Sequence, residues 1–235
     1  MTGEVNRYKE MIIKVAQALG CELLEQVVFV GGCTTSLLIT DDYARDQVRH
    51  TEDVDLIIPV MGYPAWNGFI RKLNNLGFKE RLDTEAPVCA LFLGELRVDF
   101  MPDDEKILGF TNKWYAGAVE TAIPYILTDQ LTIRLVSPPY FIATKLEAYL
   151  GRGDGDALMS QDVEDILNLF NGRESLLDEL RQVQNDELKG FIEENLSLLL
   201  RNSQIQIAIA NCVQDQGEHA RLLFENLSMA TSLRD

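Results

Sequence analysis

The sequence predicts an α/β (α+β) protein, in which a mixed sheet with flanking helices is followed by a C-terminal helical bundle. Three observations lead to this prediction. Apolar runs that alternate like strands fill the first part of the chain, glycine and proline turns separate them, and everything from Ser137 onward has helical period. The change near residue 136 divides the chain into two predicted domains, residues 1–135 and 136–235.

The individual elements follow from periodicity and from their boundary residues. Strands are predicted where apolar and polar residues alternate or form short apolar runs, over residues 26–30, 53–60, 78–82, 88–93, 96–101 and 130–136. Helices of the first domain are predicted where apolar residues recur with helical spacing, over residues 5–19, 34–40, 64–76 and 114–120. A polar loop is expected over residues 41–52, and Ser137-Pro138-Pro139 starts the first helix of the bundle.

Two carboxylates stand at the start of the strand predicted over residues 53–60. Asp53 and Asp55 are separated by one residue, so their side chains project from the same face, while Val54 and Leu56 point into the core. Two like charges held side by side repel each other, and a bound divalent cation removes that repulsion. Paired carboxylates on a rigid strand are a recurrent way to hold magnesium against a nucleoside triphosphate. The pattern therefore indicates a phosphoryl-transfer site.

A glycine pair, Gly31-Gly32, separates the first strand from a short helix. It has a structural interpretation, because glycine supplies the backbone angles of a tight turn at low cost. It also has a functional one, because small residues let backbone N–H groups approach a phosphate. Thr34, Thr35 and Ser36 either cap the helix or donate to a phosphate oxygen, and both roles stay open at this point.

Composition limits the classes of function. The four cysteines are scattered at positions 21, 33, 89 and 212, which argues against a zinc site or a disulfide framework and favours a reducing, cytoplasmic location. No apolar run is long enough to span a bilayer, so no membrane partner is expected. The net charge of -16 argues against a protein that grips long stretches of nucleic acid.

The order of glycine pair, helix and Asp-x-Asp strand resembles the polymerase-beta-like nucleotidyltransferase superfamily. The resemblance implies a third carboxylate on a neighbouring strand, for which Asp99 is the candidate, on a strand preceded by a Gly94-Glu95 hairpin turn. It implies that Asp53, Asp55 and Asp99 bind Mg²⁺ or Mn²⁺, with Asp99 the candidate general base for the attacking hydroxyl. It further implies that the phosphates of an NTP substrate are held by Gly31, Gly32, Thr34 and Ser36.

Later motifs narrow the resemblance to the AbiEii-type nucleotidyltransferase (toxin) family. Lys145-x-x-Ala148 is followed by Arg152 and then by Asp162-x-x-Asp165, in the order of that family's later motifs. The resemblance implies that Lys145 steadies the triphosphate and that an aspartate of the last motif is catalytic. On a helical wheel Asp162 flanks the apolar stripe and Asp165 lies nearly opposite it, which favours Asp162. A lysine beside a core seam is also typical of a snorkelling surface residue.

The predicted function is metal-dependent transfer of a nucleoside monophosphate from an NTP, such as ATP, to an acceptor hydroxyl. The family resemblance implies an RNA end as acceptor, such as a tRNA acceptor stem, and an antitoxin protein as partner in a toxin–antitoxin system. One alternative is a small-molecule, antibiotic-type nucleotidyltransferase. Another is a non-catalytic nucleotide-binding or partner-docking module.

Overall fold

The computed structural model describes residues 3–60, 62–81, 87–152, 155–214 and 216–234 of the chain. The chain forms two compact units. The first contains Met1–Thr34 and Arg49–Ser137, and the second contains Thr35–Val48 and Pro138–Asp235. The predicted α/β (α+β) class is confirmed, because a mixed sheet in the first unit is followed along the chain by a series of helices.

A seven-stranded mixed sheet is the core of the first unit, as far as the described residues show. Its strands, in chain order, are β1 Val28–Val30, β2 Asp53–Ile58, β3 Phe78–Lys79, β4 Ala90–Leu93, β5 Leu96–Pro102, β6 Ile123–Thr128 and β7 Leu131–Leu135. They lie in the order β3-β4-β5-β2-β1-β7-β6, with β2 parallel to β5 and antiparallel to β1. Phe29, Leu56 and Phe100 on these three strands are fully buried, so the strands that carry the predicted site also carry the core.

The described residues form twelve α-helices. They are α1 Gly3–Leu24, α2 Thr35–Leu38, α3 Asp42–Arg45, α4 Tyr63–Asn75, α5 Glu105–Leu108, α6 Tyr115–Glu120, α7 Pro138–Arg152, α8 Gln161–Gly172, α9 Leu176–Gln182, α10 Asp186–Leu200, α11 Ile205–Val213 and α12 Glu218–Met229. Helices α1, α4, α5 and α6 belong to the first unit, and the others belong to the second. Among the helices of these residues, none combines the length and the apolar composition that crossing a membrane requires.

Most predicted elements form, but several boundaries differ, and the helices α3 and α5 and the strand β6 have no counterpart in the prediction. The strands predicted over 53–60, 88–93, 96–101 and 130–136 are confirmed as β2, β4, β5 and β7, while β3 is shorter than predicted and Leu82 lies outside the described residues. The predicted loop 41–52 contains α3, whose first turn is capped by the Asp41 carboxylate, 2.7 Å from the backbone nitrogen of Ala44. Strand β6 was absent from the prediction. It contains Pro124, which is tolerated because β6 is an edge strand.

Residues 35–48 pack with the second unit although they lie early in the chain. At the end of α8 the carbonyl of Gly172 accepts hydrogen bonds from the backbone N–H groups of Thr40 and Asp41, at 2.9 and 3.0 Å. Arg173 Nη1 donates to the carbonyl of Leu38 at 2.7 Å. The compact units therefore differ from the predicted division into residues 1–135 and 136–235 by this segment. Its partners lie far along the chain, and no local pattern in the sequence identifies them.

Gly172→Ala is expected to destabilise the second unit. A Cβ atom at residue 172 would lie 2.6 Å from Ile39 Cγ2 and 2.9 Å from Ala44 Cβ. Overpacking of this kind costs about 1–3 kcal/mol, which urea unfolding followed by circular dichroism measures. Gly151→Ala in α7 is the matched control, because a Cβ there meets nothing within 4 Å and alanine favours a helix. An equal loss of stability in both variants would contradict the packing explanation.

Candidate metal centre

The strand register of the first unit brings three carboxylates together. Asp55 on β2 lies directly opposite Asp99 on the parallel strand β5, and Asp53 precedes Asp55 by two residues on the same face. Each of the three offers one oxygen, and these oxygens lie within 4.8 Å of one another. Asp99 is buried, and Asp53 and Asp55 are half-buried. The three residues predicted as metal ligands therefore form one cluster.

Gly31 follows β1 and packs directly against Asp55. Its φ angle is +79°, and a Cβ atom at this position would lie 1.9 Å from Asp55 Oδ2. A residue with a side chain cannot keep this turn together with this position of the carboxylate. Glycine at residue 31 is thus required by the acidic cluster as well as by the turn, which the sequence alone does not show.

The hydroxyl groups after the glycine pair have defined partners. Thr34 Oγ1 donates to the carbonyl of Gly31 at 2.8 Å, and the backbone N–H of Thr34 donates to the same carbonyl at 3.1 Å. Thr35 Oγ1, in the second unit, donates to Asp165 Oδ1 at 3.1 Å. Thr34 and Thr35 therefore fill structural roles. The contacts expected of Thr34 and of the buried Ser36 with a phosphate stay predictions.

Arg97 supplies positive charge at the acidic cluster. Its Nε donates to Asp99 Oδ1 at 2.8 Å, and its Nη2 donates to Asp99 Oδ2. The hydrogen bonds to Asp99 raise the pKa of the guanidinium, and partial burial opposes them. Thr51 Oγ1 donates to Asp53 Oδ1, so the carboxylates of Asp53 and Asp99 are both oriented by neighbouring side chains. The pairing of Arg97 with Asp99 could have been found in the sequence, because residues two apart on a strand share a face.

The donor set fits a hard divalent cation. Mg²⁺ prefers oxygen ligands and is usually held by one or two carboxylates together with substrate phosphates and water. An ionised carboxylate has about four acceptor positions, so Asp99 can accept both hydrogen bonds of Arg97 and still coordinate a cation. Because Gly31 has no side chain, the Asp55 carboxylate can occupy its position in the cluster. Magnesium or manganese is therefore consistent with the residues present.

The thiols of Cys89 and Cys212 are expected to be unreactive in the folded protein. Burial and then the negative charge of Asp99 raise the pKa of Cys89 to about 11, and burial raises the pKa of Cys212 to about 12. Because the thiolate is the nucleophile, brief treatment with iodoacetamide at about pH 8 is expected to modify the exposed Cys21 first. Peptide mass mapping measures the order, with denatured protein as the control. Early modification of Cys89 in folded protein would contradict this prediction.

Lys145 belongs to a buried charge network in the second unit. Its Nζ atom lies 2.6 Å from Asp165 Oδ2 and 3.3 Å from Asp162 Oδ1, and Arg152 Nη1 also pairs with Asp162. Lys145 is 8% exposed, Asp162 2% and Asp165 0%. The interpretation of Lys145 as a snorkelling surface residue is therefore wrong. Two cationic side chains balance two carboxylates and connect α7 to α8.

The position that the helical wheel gives Asp165 is also wrong. The wheel puts this residue nearly opposite the apolar stripe of α8, but in the structure it is fully buried and is the nearer carboxylate partner of Lys145. Helix α8 packs against α2, α3, α7, α11 and α12, so it is buried on several sides. A wheel that assumes one buried face does not describe such a helix. The preference for Asp162 over Asp165 thus rested on a wrong assumption about burial.

The predicted site residues are divided between the two units. The first unit contains Gly31, Gly32, Thr34, Asp53, Asp55 and Asp99, and the second contains Ser36, Lys145 and Asp162. No protein-family model matches the chain, and no curated protein matches it. The resemblance to the nucleotidyltransferases therefore rests on the motif residues alone.

Proposed function

We propose that this protein is a metal-dependent nucleotidyltransferase that moves a nucleoside monophosphate from an NTP to an acceptor hydroxyl. The observation that carries the proposal is the cluster of Asp53, Asp55 and Asp99 on two parallel strands. A Mg²⁺ or Mn²⁺ ion bound there would neutralise charge on the phosphates of the nucleotide and help to align them.

The residues of the cluster have two tasks in this proposal. Asp53 and Asp55 would hold the cation at a fixed position on the sheet. Asp99, oriented by Arg97, completes the ligand set and is the candidate general base that accepts the proton of the attacking hydroxyl. Phosphoryl transfer depends mainly on positioning and electrostatics, and carboxylates on a rigid sheet are suited to both.

The glycine turn and the second unit add residues whose tasks rest on the resemblance. Gly31 and Gly32 are proposed to let the backbone approach the phosphates. Lys145 and Asp162 are the residues expected near the triphosphate by analogy with the AbiEii-type family. Within the second unit the ammonium group of Lys145 is already paired with two carboxylates, which supports a structural role for it.

The proposed acceptor is an RNA end, such as a tRNA acceptor stem, in a cytoplasmic toxin–antitoxin system with an antitoxin partner. The net charge of -16 opposes binding along an extended nucleic acid, so contact limited to one end of the RNA is favoured. The same charge supports a second candidate acceptor, a cationic small molecule of the antibiotic type, because acidic surfaces attract cations.

Calorimetric titration of each NTP, with and without magnesium, tests the proposal without knowledge of the acceptor. We expect magnesium-dependent binding by the wild type and its loss in Asp53→Ala. Binding should persist in Asp129→Ala, which removes an exposed carboxylate from the turn between β6 and β7. Transfer of label from an α-labelled NTP to tRNA or to cationic small molecules then distinguishes the two acceptors. No binding by the folded wild type would overturn the proposal.

Gly31→Ala is expected to weaken magnesium-dependent nucleotide binding by at least about tenfold, since substitutions that disturb the orientation of a metal ligand typically cost that much. The new Cβ would occupy the space of the Asp55 carboxylate and displace it from the cluster. Gly109→Ala is the matched control, because Gly109 has a φ angle of +80° and a Cβ there meets nothing within 4 Å. The same calorimetric titration measures both variants. Unchanged binding by Gly31→Ala would show that this glycine does not fix Asp55.

A further inference from the structure

We propose that Arg97 is an internal counter-cation that lowers the affinity of the acidic cluster for a free divalent ion, so that the ion binds tightly only together with a nucleotide. The inference rests on the proposed nucleotidyltransferase function. It assigns Arg97 a role in controlling when the cation binds, in addition to orienting Asp99.

The first step of the inference is the position of Arg97 on the sheet. Arg97 lies opposite Asp53 in the register of β2 with β5, and it precedes Asp99 by two residues. The guanidinium group and the three carboxylates therefore project from one face of the sheet. Arg97 donates to both oxygens of Asp99, the bidentate geometry in which arginine binds a carboxylate most strongly.

The second step is the balance of charge. Three ionised carboxylates carry three negative charges, and the guanidinium reduces the total to two. A cation bound to Asp99 lies at most about 5 Å from the nearer donor nitrogen, because the hydrogen bond is 2.8 Å or shorter and magnesium–oxygen bonds are about 2.1 Å. Even with the dielectric constant of water, one charge at that distance changes the affinity for a divalent ion by about tenfold.

The third step is the effect of a triphosphate. The Arg97 side chain is 34% exposed, so part of it is in contact with solvent. The negative charges of a triphosphate are attracted by the guanidinium, which is the side chain best suited to phosphate oxygens. A cation that arrives with a nucleotide therefore gains an attraction that a free cation lacks. Arg97 disfavours the ion alone and favours the ion–nucleotide complex.

Binding of Mn²⁺ in the absence of nucleotide, followed by electron paramagnetic resonance, tests the inference. Arg97→Gln is expected to bind Mn²⁺ about tenfold more tightly than the wild type, because the repelling charge is gone. Arg97→Lys keeps the charge and is expected to bind like the wild type. Arg71→Gln is the matched control, since Arg71 is exposed and lies on α4, outside the sheet that carries the cluster.

Several results would overturn the inference. Equal or weaker Mn²⁺ binding by Arg97→Gln would show that the arginine only holds Asp99 in place, and tight binding by Arg97→Lys would show that charge is not the cause. Absence of Mn²⁺ binding by Arg97→Gln would also overturn it. The proposed function fails separately: if Arg97→Gln binds Mn²⁺ tightly but no protein binds an NTP, the counter-cation role stands and the transferase proposal falls.

Discussion

Asp55→Asn is expected to reduce nucleotidyl transfer by roughly a thousandfold or more, because a bound metal ion contributes several kcal/mol of charge stabilisation in the transition state. Asp55 has the central position of the cluster. It lies opposite Asp99 and against Gly31, and it pairs with Val30 of β1 in the sheet. Asparagine has nearly the same shape as aspartate but carries no charge, so the sheet is expected to form unchanged.

Label transfer from an α-labelled NTP measures the effect, and thermal unfolding shows whether the variant is folded. Asp129→Asn is the control, because it makes the same chemical change at an exposed position in the turn between β6 and β7. Full transfer activity in a folded Asp55→Asn protein would refute the proposed metal-dependent mechanism.

Lys145→Met is expected to lower the free energy of unfolding by about 3–5 kcal/mol, the usual effect of removing one partner from a buried ion pair. The substitution removes the ammonium group 2.6 Å from Asp165, a carboxylate with no exposed surface, and also its contact with Asp162 at 3.3 Å. Methionine fills a similar volume, so the loss comes mainly from charge. Urea unfolding of the variant and the wild type measures it.

A second substitution separates structural and catalytic roles of Lys145. Lys145→Met combined with Asp165→Asn removes one charge of each sign and leaves Asp162 paired with Arg152, so most of the lost stability is expected to return. Transfer by this folded double variant then reports on Lys145 at the triphosphate. Wild-type stability of the single variant Lys145→Met would contradict the importance of the buried network.

The carboxylates of the candidate site could be predicted because strands have a period of two. That period puts Asp53 and Asp55 on one face, and the Gly94-Glu95 turn places Asp99 on a hairpin strand. The parallel pairing of β2 with β5 sets Asp55 opposite Asp99, and alternation within a strand does not reveal which strands are neighbours. The sequence therefore predicts which side chains share a face of their strand, and the structure shows that β2 and β5 are neighbours.

Other features depend on contacts between distant segments, and local patterns do not report such contacts. Asp165 is buried because several helices surround α8, while a helical wheel shows one helix alone. The close approach of Gly31 to Asp55 depends on the pairing of β1 with β2, so the sequence showed the glycine but not its contact. Strand β6 was not predicted because it contains Pro124. Proline has no N–H to donate, so it is tolerated in an edge strand such as β6, and the sequence does not show which strand lies at the edge.

The packing of residues 35–48 with the second unit affects how this protein can be divided into fragments. A gene fragment that begins at Pro138 encodes the long helices but omits Leu38, Thr40 and Asp41, which bond Gly172 and Arg173. Such a fragment would leave the Gly172 carbonyl and the Arg173 guanidinium without these partners. A fragment from Met1 to Ser137 would contain residues 35–48 but lack the helices against which they pack. During synthesis on the ribosome, residues 35–48 must likewise wait for α8 to be translated before they find their partners. Supplying residues 35–48 as a separate peptide to the C-terminal fragment is therefore the natural route to its independent study.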